Sequence, residues 1–210
     1  MKKRLLTMLT VSAFLPTMAF ADESSQLALQ TQLESMANYQ ASFTQVVTDV
    51  EGDLVNEAEG QLWLARPNKM RWETAFPEES LLIADGNAVW NIDNFVEQVT
   101  VFEQNASIAN NPFILLTTSD KDTWSSFTIE QTVNEGGNNT FVITPLEEGG
   151  QIQSLTLHIR DNTLVSLEMF DAQEQKSALA FSDIDTSTIP KSELFTPNIP
   201  EGFIVDDQRQ

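Results

Sequence analysis

The side chains that most often carry chemistry are sparse in this chain, and none stands in a catalytic or metal-binding pattern. His158 is the only histidine, and it lies on the polar side of a strand with no nucleophilic serine or cysteine motif beside it. Asp183 and Asp185 begin like a calcium loop, but Thr188 stands where that loop needs glycine and Leu194 where it needs glutamate. We therefore predict no metal site and interpret His158 as a surface or structural residue.

Other classes of catalyst also lack their usual signatures. The chain contains no Gly-x-Ser-x-Gly nucleophile turn and no glycine-rich phosphate loop, and without cysteine it has no thiol nucleophile. The 31 carboxylates leave open a pair that works as acid and base, but the spacing singles out no such pair. The sequence thus predicts a binding protein without a cofactor rather than an enzyme.

Residues 60–92 form the stretch around which the rest of the chain is organised. It holds three of the four tryptophans, and Met70, Trp72 and Phe76 alternate with charged residues. A period of two is typical of a strand with one buried face. The tripeptide Asp85-Gly86-Asn87 predicts a tight hairpin turn. We expect a meander of three or four antiparallel strands with an aromatic, thioether-bearing inner face.

Arg66 lies at the end of the strand that precedes the Met70–Phe76 strand, in the strand-breaking sequence Arg66-Pro67-Asn68. Two interpretations stay open from spacing alone. Arg66 is either a solvated charge beside a turn, or its guanidinium group donates to backbone carbonyls at the end of a helix.

A short apolar helix is predicted after a polar loop at residues 105–111. Asn111 fits an N-cap and Pro112 the first helical position. The next four residues, Phe113, Ile114, Leu115 and Leu116, are apolar on every side of a single turn. Such a turn is either deep core or a lid facing something apolar.

The other elements predict a mainly β-protein. Residues 22–38 fit a helix with one apolar stripe, and residues 190–194 a single helical turn. Ten or eleven short strands separated by turn-forming residues account for most of the remainder. We expect a strongly curved sheet or incomplete barrel whose concave side is covered by helices. The strands predicted in the second half span residues 124–133, 140–145, 151–160, 163–170 and 175–181.

The first residues predict export. Three basic residues precede an apolar run at 5–15, and Ala19-Phe20-Ala21 fits a signal-peptidase site with cleavage after Ala21. Removing residues 1–21 takes away three positive charges and lowers the formal net charge from −20 to −23, which argues against a nucleic-acid partner. We expect residues 22–210 to form a single domain without disulfides.

Several motifs together resemble one family. They are ASFTQ at 41–45, GxLWxxRPN at 60–68, ESxLxxDG at 79–86, NFVEQ at 94–98, NPF at 111–113 and VDDQR at 205–209. They lie in order across nearly all of residues 22–210. In these features the chain resembles the periplasmic outer-membrane lipoprotein carrier proteins, the LolA family.

The resemblance implies an unclosed antiparallel β-barrel of about eleven strands with a helical lid over a hydrophobic cavity. It implies a monomeric periplasmic carrier that takes acylated lipoproteins from an inner-membrane ABC transporter, LolCDE, and delivers them to an outer-membrane receptor, LolB. The receptor shares the fold but is anchored through a lipidated cysteine. This chain contains no cysteine, which favours the soluble carrier.

The resemblance also assigns residues. The lid latch of the family falls on Arg66, and its lid helix falls on Pro112, Phe113, Ile114, Leu115 and Leu116. A cavity position that is often phenylalanine in the family is Met70 here, which keeps the apolar volume and adds flexibility. The residues that we expect to line the cavity are Leu62, Leu64, Met70, Trp72, Phe76, Leu82 and Trp90.

Two other functions stay open at this stage. One is a binding protein for a different apolar ligand, such as a free lipid or pigment. The other is a hydrolase of acyl esters.

Overall fold

The computed structural model describes residues 21–108, 112–147 and 149–209, and it consists mainly of β-strands. Residues 1–20 of the predicted signal peptide and the predicted N-cap Asn111 lie outside these residues. The α-helices are α1 (Ala21–Ser35) and α2 (Lys121–Trp124), and 3₁₀ helices span Asn105–Ser107, Pro112–Leu116, Glu135–Gly137 and Ser192–Phe195. The strands are β1 (Asn38–Thr48), β2 (Leu54–Ala65), β3 (Lys69–Phe76), β4 (Ser80–Ala84), β5 (Ala88–Asp93), β6 (Gln98–Glu103), β7 (Phe127–Val133), β8 (Asn139–Pro145), β9 (Ile152–Arg160), β10 (Thr163–Asp171), β11 (Lys176–Asp185) and β12 (Ile204–Asp207).

All twelve strands of the described residues belong to one sheet in the order β12-β6-β5-β4-β3-β2-β1-β11-β10-β9-β8-β7. β12 and β7 are the two edges, so the sheet is not closed, and α1 packs against β7. The predicted unclosed, mainly antiparallel sheet is therefore confirmed. It has one strand more than expected, because the C-terminal β12 pairs with β6, and this pairing is parallel.

The N-terminal helix is confirmed, although it ends three residues before the predicted end. It stops at Ser35 because Asn38 and Tyr39 already pair with β2. Leu29 and Leu33 of this helix are buried in the central core of the molecule, and the Tyr39 hydroxyl donates to the carbonyl oxygen of Leu164 at 2.8 Å. Burial raises the pKa of Tyr39, so this hydroxyl stays a hydrogen-bond donor.

One face of the sheet, which we call the inner face, forms the central core. Alternate residues of β1 and β2 point to it, as their register shows, where Ala41 is opposite Leu62 and Tyr39 opposite Leu64. The alternation continues through β8 to β11, apart from two register shifts in the pairing of β9 with β10. The inner-face residues buried in those four strands are Phe141, Ile143, Leu155, Leu157, Ile159, Leu164, Leu167, Leu179 and Phe181.

The opposite, outer face of β4 to β6 is covered by the C-terminal segment. Ile199 and Phe203 pack there against a second cluster of buried residues formed by Ala88, Ile92, Val99 and Val101. Arg71 on the same face of β3 forms a salt bridge with Glu73 at 2.8 Å and donates to the carbonyl oxygen of Leu194. The sheet is thus buried on both faces in this region. No helix of the described residues is long and apolar enough to cross a membrane.

The close approach of Phe43 to Gly60 gives a test of the inner-face packing. The two residues are opposite each other on β1 and β2. A Cβ on Gly60 would lie 2.8 Å from the Phe43 ring and 1.9 Å from the backbone oxygen of Glu73.

We expect Gly60→Ala to lower the free energy of unfolding by about 1–3 kcal/mol, the usual cost of overpacking. Chemical denaturation measures this loss. Gly150→Ala is the matched control, since a Cβ there meets no atom within 4 Å. Equal stability of the two variants would show that neither the Phe43 ring nor the Glu73 carbonyl oxygen packs tightly against Gly60.

Candidate functional site

Arg66 holds the C-terminal end of the apolar turn at Pro112–Leu116, which we call the lid segment. Its Nε and Nη2 atoms donate to the carbonyl oxygen of Leu116 at 3.0 and 2.9 Å, and Nη2 also donates to that of Thr118 at 3.3 Å. Those carbonyls follow the last turn of a 3₁₀ helix, where backbone acceptors lack intrahelical partners. Of the two interpretations of Arg66, the structure agrees with the one in which it binds backbone carbonyls.

Two opposing effects act on the pKa of Arg66. Burial lowers the pKa of Arg66 to about 10, and the nearby carboxylate of Glu34 acts in the opposite direction. The guanidinium group is therefore charged at neutral pH. Its hydrogen bonds to Leu116 and Thr118 offset part of the cost of removing this charge from water.

The turn after Arg66 provides a second link to the lid segment. The amide of Asn68 donates to the carbonyl oxygen of Thr117 at 3.0 Å, and the Asn68 backbone adopts a positive φ of 63°. The buried side chain of Gln104 donates from Nε2 to the Asn68 carbonyl and accepts from the amide of Gly86. This turn, the β4–β5 hairpin and the end of β6 are thereby fixed to one another.

The lid segment itself fills the interior. It is a 3₁₀ helix, and Ile114, Leu115 and Leu116 are at most 2% exposed within the central core. Phe113 is only half-buried and stacks on Trp72 with 4.7 Å between the ring centroids. Of the two positions left open by the sequence, deep core and lid, the structure places this segment in the deep core.

Five of the predicted cavity residues lie on the inner face. Leu62, Leu64 and Met70 are at most 5% exposed in the central core. Trp72 and Leu82 are half-buried and pack against it. Cross-strand pairing explains the grouping, because Leu62 is opposite Trp72, and Trp72 opposite Leu82.

The predicted placement of the other two, Phe76 and Trp90, needs correction. Phe76 is 53% exposed, because an irregularity in the pairing of β2 and β3 shifts the register before it. Trp90 lies on the outer face and packs against the second cluster. Its indole nitrogen donates to Asp85, and the guanidinium group of Arg209 lies over its ring at 5.5 Å.

The carboxylate of Asp85 accepts several hydrogen bonds at this contact on the outer face. Burial alone would raise its pKa, but hydrogen bonds from the amides of Ala88 and Asn87 and from the Trp90 indole lower it. Asp85 therefore stays ionised and fixes both the hairpin turn and the tryptophan.

Cavities of different size border the two ends of the lid segment. A void of about 10 Å³ lies between Leu33, Tyr39 and Leu116. A larger cavity of about 650 Å³ borders the N-terminal end of the lid segment at Pro112, and an adjoining one of about 160 Å³ borders Phe113.

Sequence reasoning misses several residues of the site. Thr117 and Thr118 are at most 3% exposed and carry the carbonyls that Asn68 and Arg66 bind, yet their sequence reads as an ordinary polar turn. The sequence predicts Trp124 at the start of a strand, but it lies in α2, 1% exposed in the central core. Only its size could have pointed to burial.

The residues with the clearest potential for chemistry lie apart from the lid segment. His158 contacts Thr140 on the strand surface at 3.3 Å, and the Asp185 carboxylate accepts from the amides of Ser187 and Thr188 in a local turn. No group of three or more potential metal ligands comes together among the described residues.

Comparison with known proteins agrees with the motifs. A family model described as "Outer membrane lipoprotein carrier protein LolA" matches residues 34–198. The chain belongs to the LolA family. Proteins named outer-membrane lipoprotein carrier protein from Klebsiella pneumoniae (strain 342) and Salmonella paratyphi B (strain ATCC BAA-1250 / SPB7) are each 32% identical over 212 residues, which is 100% of both chains in each comparison.

A solved structure gives the fold independently. An uncharacterized conserved protein from Thermus thermophilus has a TM-score of 0.52 and 13% sequence identity, and the match covers 88% of this chain and 99% of that one. At this identity, the likeness shows only that the two proteins share a fold.

Two tryptophans on opposite faces test which face receives an apolar ligand. We expect Trp72→Gln to weaken binding of an environment-sensitive apolar dye about tenfold, because it places a polar amide on the inner face. Trp90→Gln makes the same change on the outer face and should lower the melting temperature without changing dye affinity. Fluorescence titration at a temperature where both variants are folded measures the difference. Equal weakening by both variants would contradict the assignment of the inner face.

Proposed function

We propose that this chain is a periplasmic carrier that accepts acylated lipoproteins released from the inner membrane by the LolCDE transporter. It shields their acyl chains on the inner face beneath the lid segment and delivers them, as a monomer and without catalysis, to the outer-membrane receptor LolB. The observation that carries the proposal is the lid segment, an apolar plug in the core whose end is held by Arg66. Membership of the LolA family and the predicted signal peptide agree with it.

Such a carrier must exchange one apolar surface for another. Burying acyl chains is worth ~0.8 kcal/mol per CH₂, so a cargo with long chains requires cover throughout its passage. Each large apolar side chain of the lid segment gains roughly 1.5–3 kcal/mol from its own burial. Cargo therefore displaces Ile114, Leu115 and Leu116 and takes over the contacts that they make with the inner face. The net affinity for cargo is the difference between the free energy of burying the acyl chains and that of burying the lid side chains.

The latch adjusts this difference in favour of release. Hydrogen bonds to a charged group contribute about 1.5–3 kcal/mol, and those of Arg66 exist only while the lid segment is closed. They stabilise the empty carrier relative to the loaded one. Cargo is then held less tightly than an all-apolar closure would hold it, which makes transfer to a receptor favourable.

The function itself is tested by release and transfer. The purified protein is added to spheroplasts that carry a newly made outer-membrane lipoprotein, and the soluble complex is then mixed with purified receptor. We expect the lipoprotein to appear in the soluble fraction in complex with the carrier and then to pass to the receptor. Absence of release, or soluble protein carrying a free lipid or pigment in place of lipoprotein, would contradict the proposal.

Replacement of Arg66 separates the two steps. We expect Arg66→Leu to release lipoprotein as well as the unmodified chain but to transfer it poorly, because the empty state loses its hydrogen bonds. A loss of ~2 kcal/mol corresponds to about a thirtyfold change in cargo affinity. Arg66→Lys should restore transfer only in part, since an ammonium group lacks the planar fork of donors.

Lys69→Leu is the matched control for Arg66→Leu. It removes a nearby positive charge that is not among the donors to the lid carbonyls and should leave both steps unchanged. Unimpaired transfer by Arg66→Leu, or equal impairment by the two variants, would show that Arg66 is not a latch.

A further inference from the structure

The two ends of the lid segment are held very differently. At its C-terminal end, Arg66 and Asn68 donate four hydrogen bonds to three consecutive backbone carbonyls, those of residues 116–118. Near its N-terminal end, the described contact is apolar: the half-buried ring of Phe113 stacks on Trp72 with 4.7 Å between the ring centroids. The two described contacts therefore differ in kind, charged hydrogen bonds at one end and ring stacking near the other.

A cavity of about 650 Å³ borders Pro112 at the N-terminal end of the lid segment. The cavities of about 650 Å³ and about 160 Å³ share Pro112 and Ile152 as lining residues, and we call the two together the rim groove. It runs from α2 and the start of β7 past the β8–β9 connection to the β10–β11 turn. The larger cavity alone lies within the range of about 300–1,000 Å³ that is usual for small-molecule sites.

The floor of the rim groove is continuous with the central core. Phe113, Phe127 and Met169 line it and also pack against that core. Ile152 reaches it because a register shift between β9 and β10 interrupts the alternation of β9. An apolar chain lying in the groove would thus touch the same side chains that enclose the inner face.

The edge of the rim groove carries negative charge. Asp120 and Asp171 line it but are engaged locally, by Thr123 and by the amides of Gln173 and Gln175. Asp122 and Glu147 also line it, and both are exposed to solvent. A neutral acyl chain can pass such an edge, whereas an anionic headgroup is repelled.

We propose that the rim groove admits the first acyl chain of the cargo and that its carboxylates exclude lipids with an anionic headgroup. This inference rests on the proposed carrier function and specifies where loading begins. The acyl chain lies along the apolar floor, displaces Phe113 from Trp72, and reaches the inner face before the hydrogen bonds of Arg66 break. An acyl chain carries no charge itself, so the carboxylates repel only a lipid whose headgroup carries an anionic phosphate, such as phosphatidylglycerol.

A bulky label in the rim groove tests the point of admission. The chain has no cysteine, so Ile152→Cys and Val133→Cys each supply a single labelling site. Val133 is 65% exposed at the opposite end of β7 from Phe127 and serves as the control. Each variant is reacted with a maleimide carrying a short polyethylene glycol chain, and lipoprotein release from spheroplasts is compared before and after labelling.

We expect labelling at position 152 to reduce release about tenfold or more, because a ligand site that is filled cannot bury its ligand. Labelling at position 133 should have no effect. Release that survives labelling at position 152 would overturn the groove as the point of admission. Absence of release by the unmodified chain would instead refute the carrier function.

The charge selectivity is tested with defined lipids. Asp122→Asn combined with Glu147→Gln should raise the affinity for anionic lysophosphatidylglycerol about fivefold at low salt and leave that for zwitterionic lysophosphatidylcholine unchanged. Glu51→Gln combined with Glu57→Gln removes the same charge from exposed positions at the far end of β1 and β2 and should change neither affinity. An unchanged ratio of the two affinities in the groove variant, or an equal shift in the control, would overturn the exclusion of anionic lipids.

Discussion

The contact between the Arg66 guanidinium group and the carbonyls of Leu116 and Thr118 holds the end of the lid segment in the core. An inner face as apolar as this one cannot stay uncovered in water, so the empty protein must fill it with its own side chains. A purely apolar plug would be hard to displace. Under the proposed function, a partly buried charge that bonds backbone carbonyls limits the stability of the closed state, because desolvation of Arg66 offsets part of what its hydrogen bonds contribute.

In the proposed carrier, the ligand site is filled by the protein's own side chains in the empty state. Ile114, Leu115 and Leu116 belong to the same core cluster as Leu29 and Leu33 of α1 and the buried residues of the inner face, and the void between Leu33, Tyr39 and Leu116 measures about 10 Å³. Under this proposal, loading is an exchange of apolar contacts, and its free energy is small compared with that of burying either surface alone. The second cluster on the outer face, under Ile199 and Phe203, is separate from this exchange and can hold β4 to β6 in place while the lid segment moves.

Much of the fold and part of the site follow from the sequence, and the misses have physical causes. The alternation of Met70 and Trp72 correctly predicts their shared face, and the isolated apolar turn after Pro112 correctly indicates a segment that must be covered. Trp90 is misplaced because its strand is buried on both faces, so that alternation alone does not say which side is inner. Phe76 is misplaced because a pairing irregularity, invisible in the sequence, precedes it.

Amide hydrogen exchange in the empty and the loaded protein tests most directly whether cargo displaces the lid segment. The amide of Asn68 donates to Thr117 of the lid region, whereas that of Arg66, two residues earlier, donates to the carbonyl oxygen of Ala37 after α1. If cargo displaces the lid segment, the Asn68 amide is protected in the empty protein and exchanges rapidly in the loaded one, while the Arg66 amide stays protected in both. Equal protection of the Asn68 amide with and without bound lipoprotein would contradict displacement of the lid by cargo.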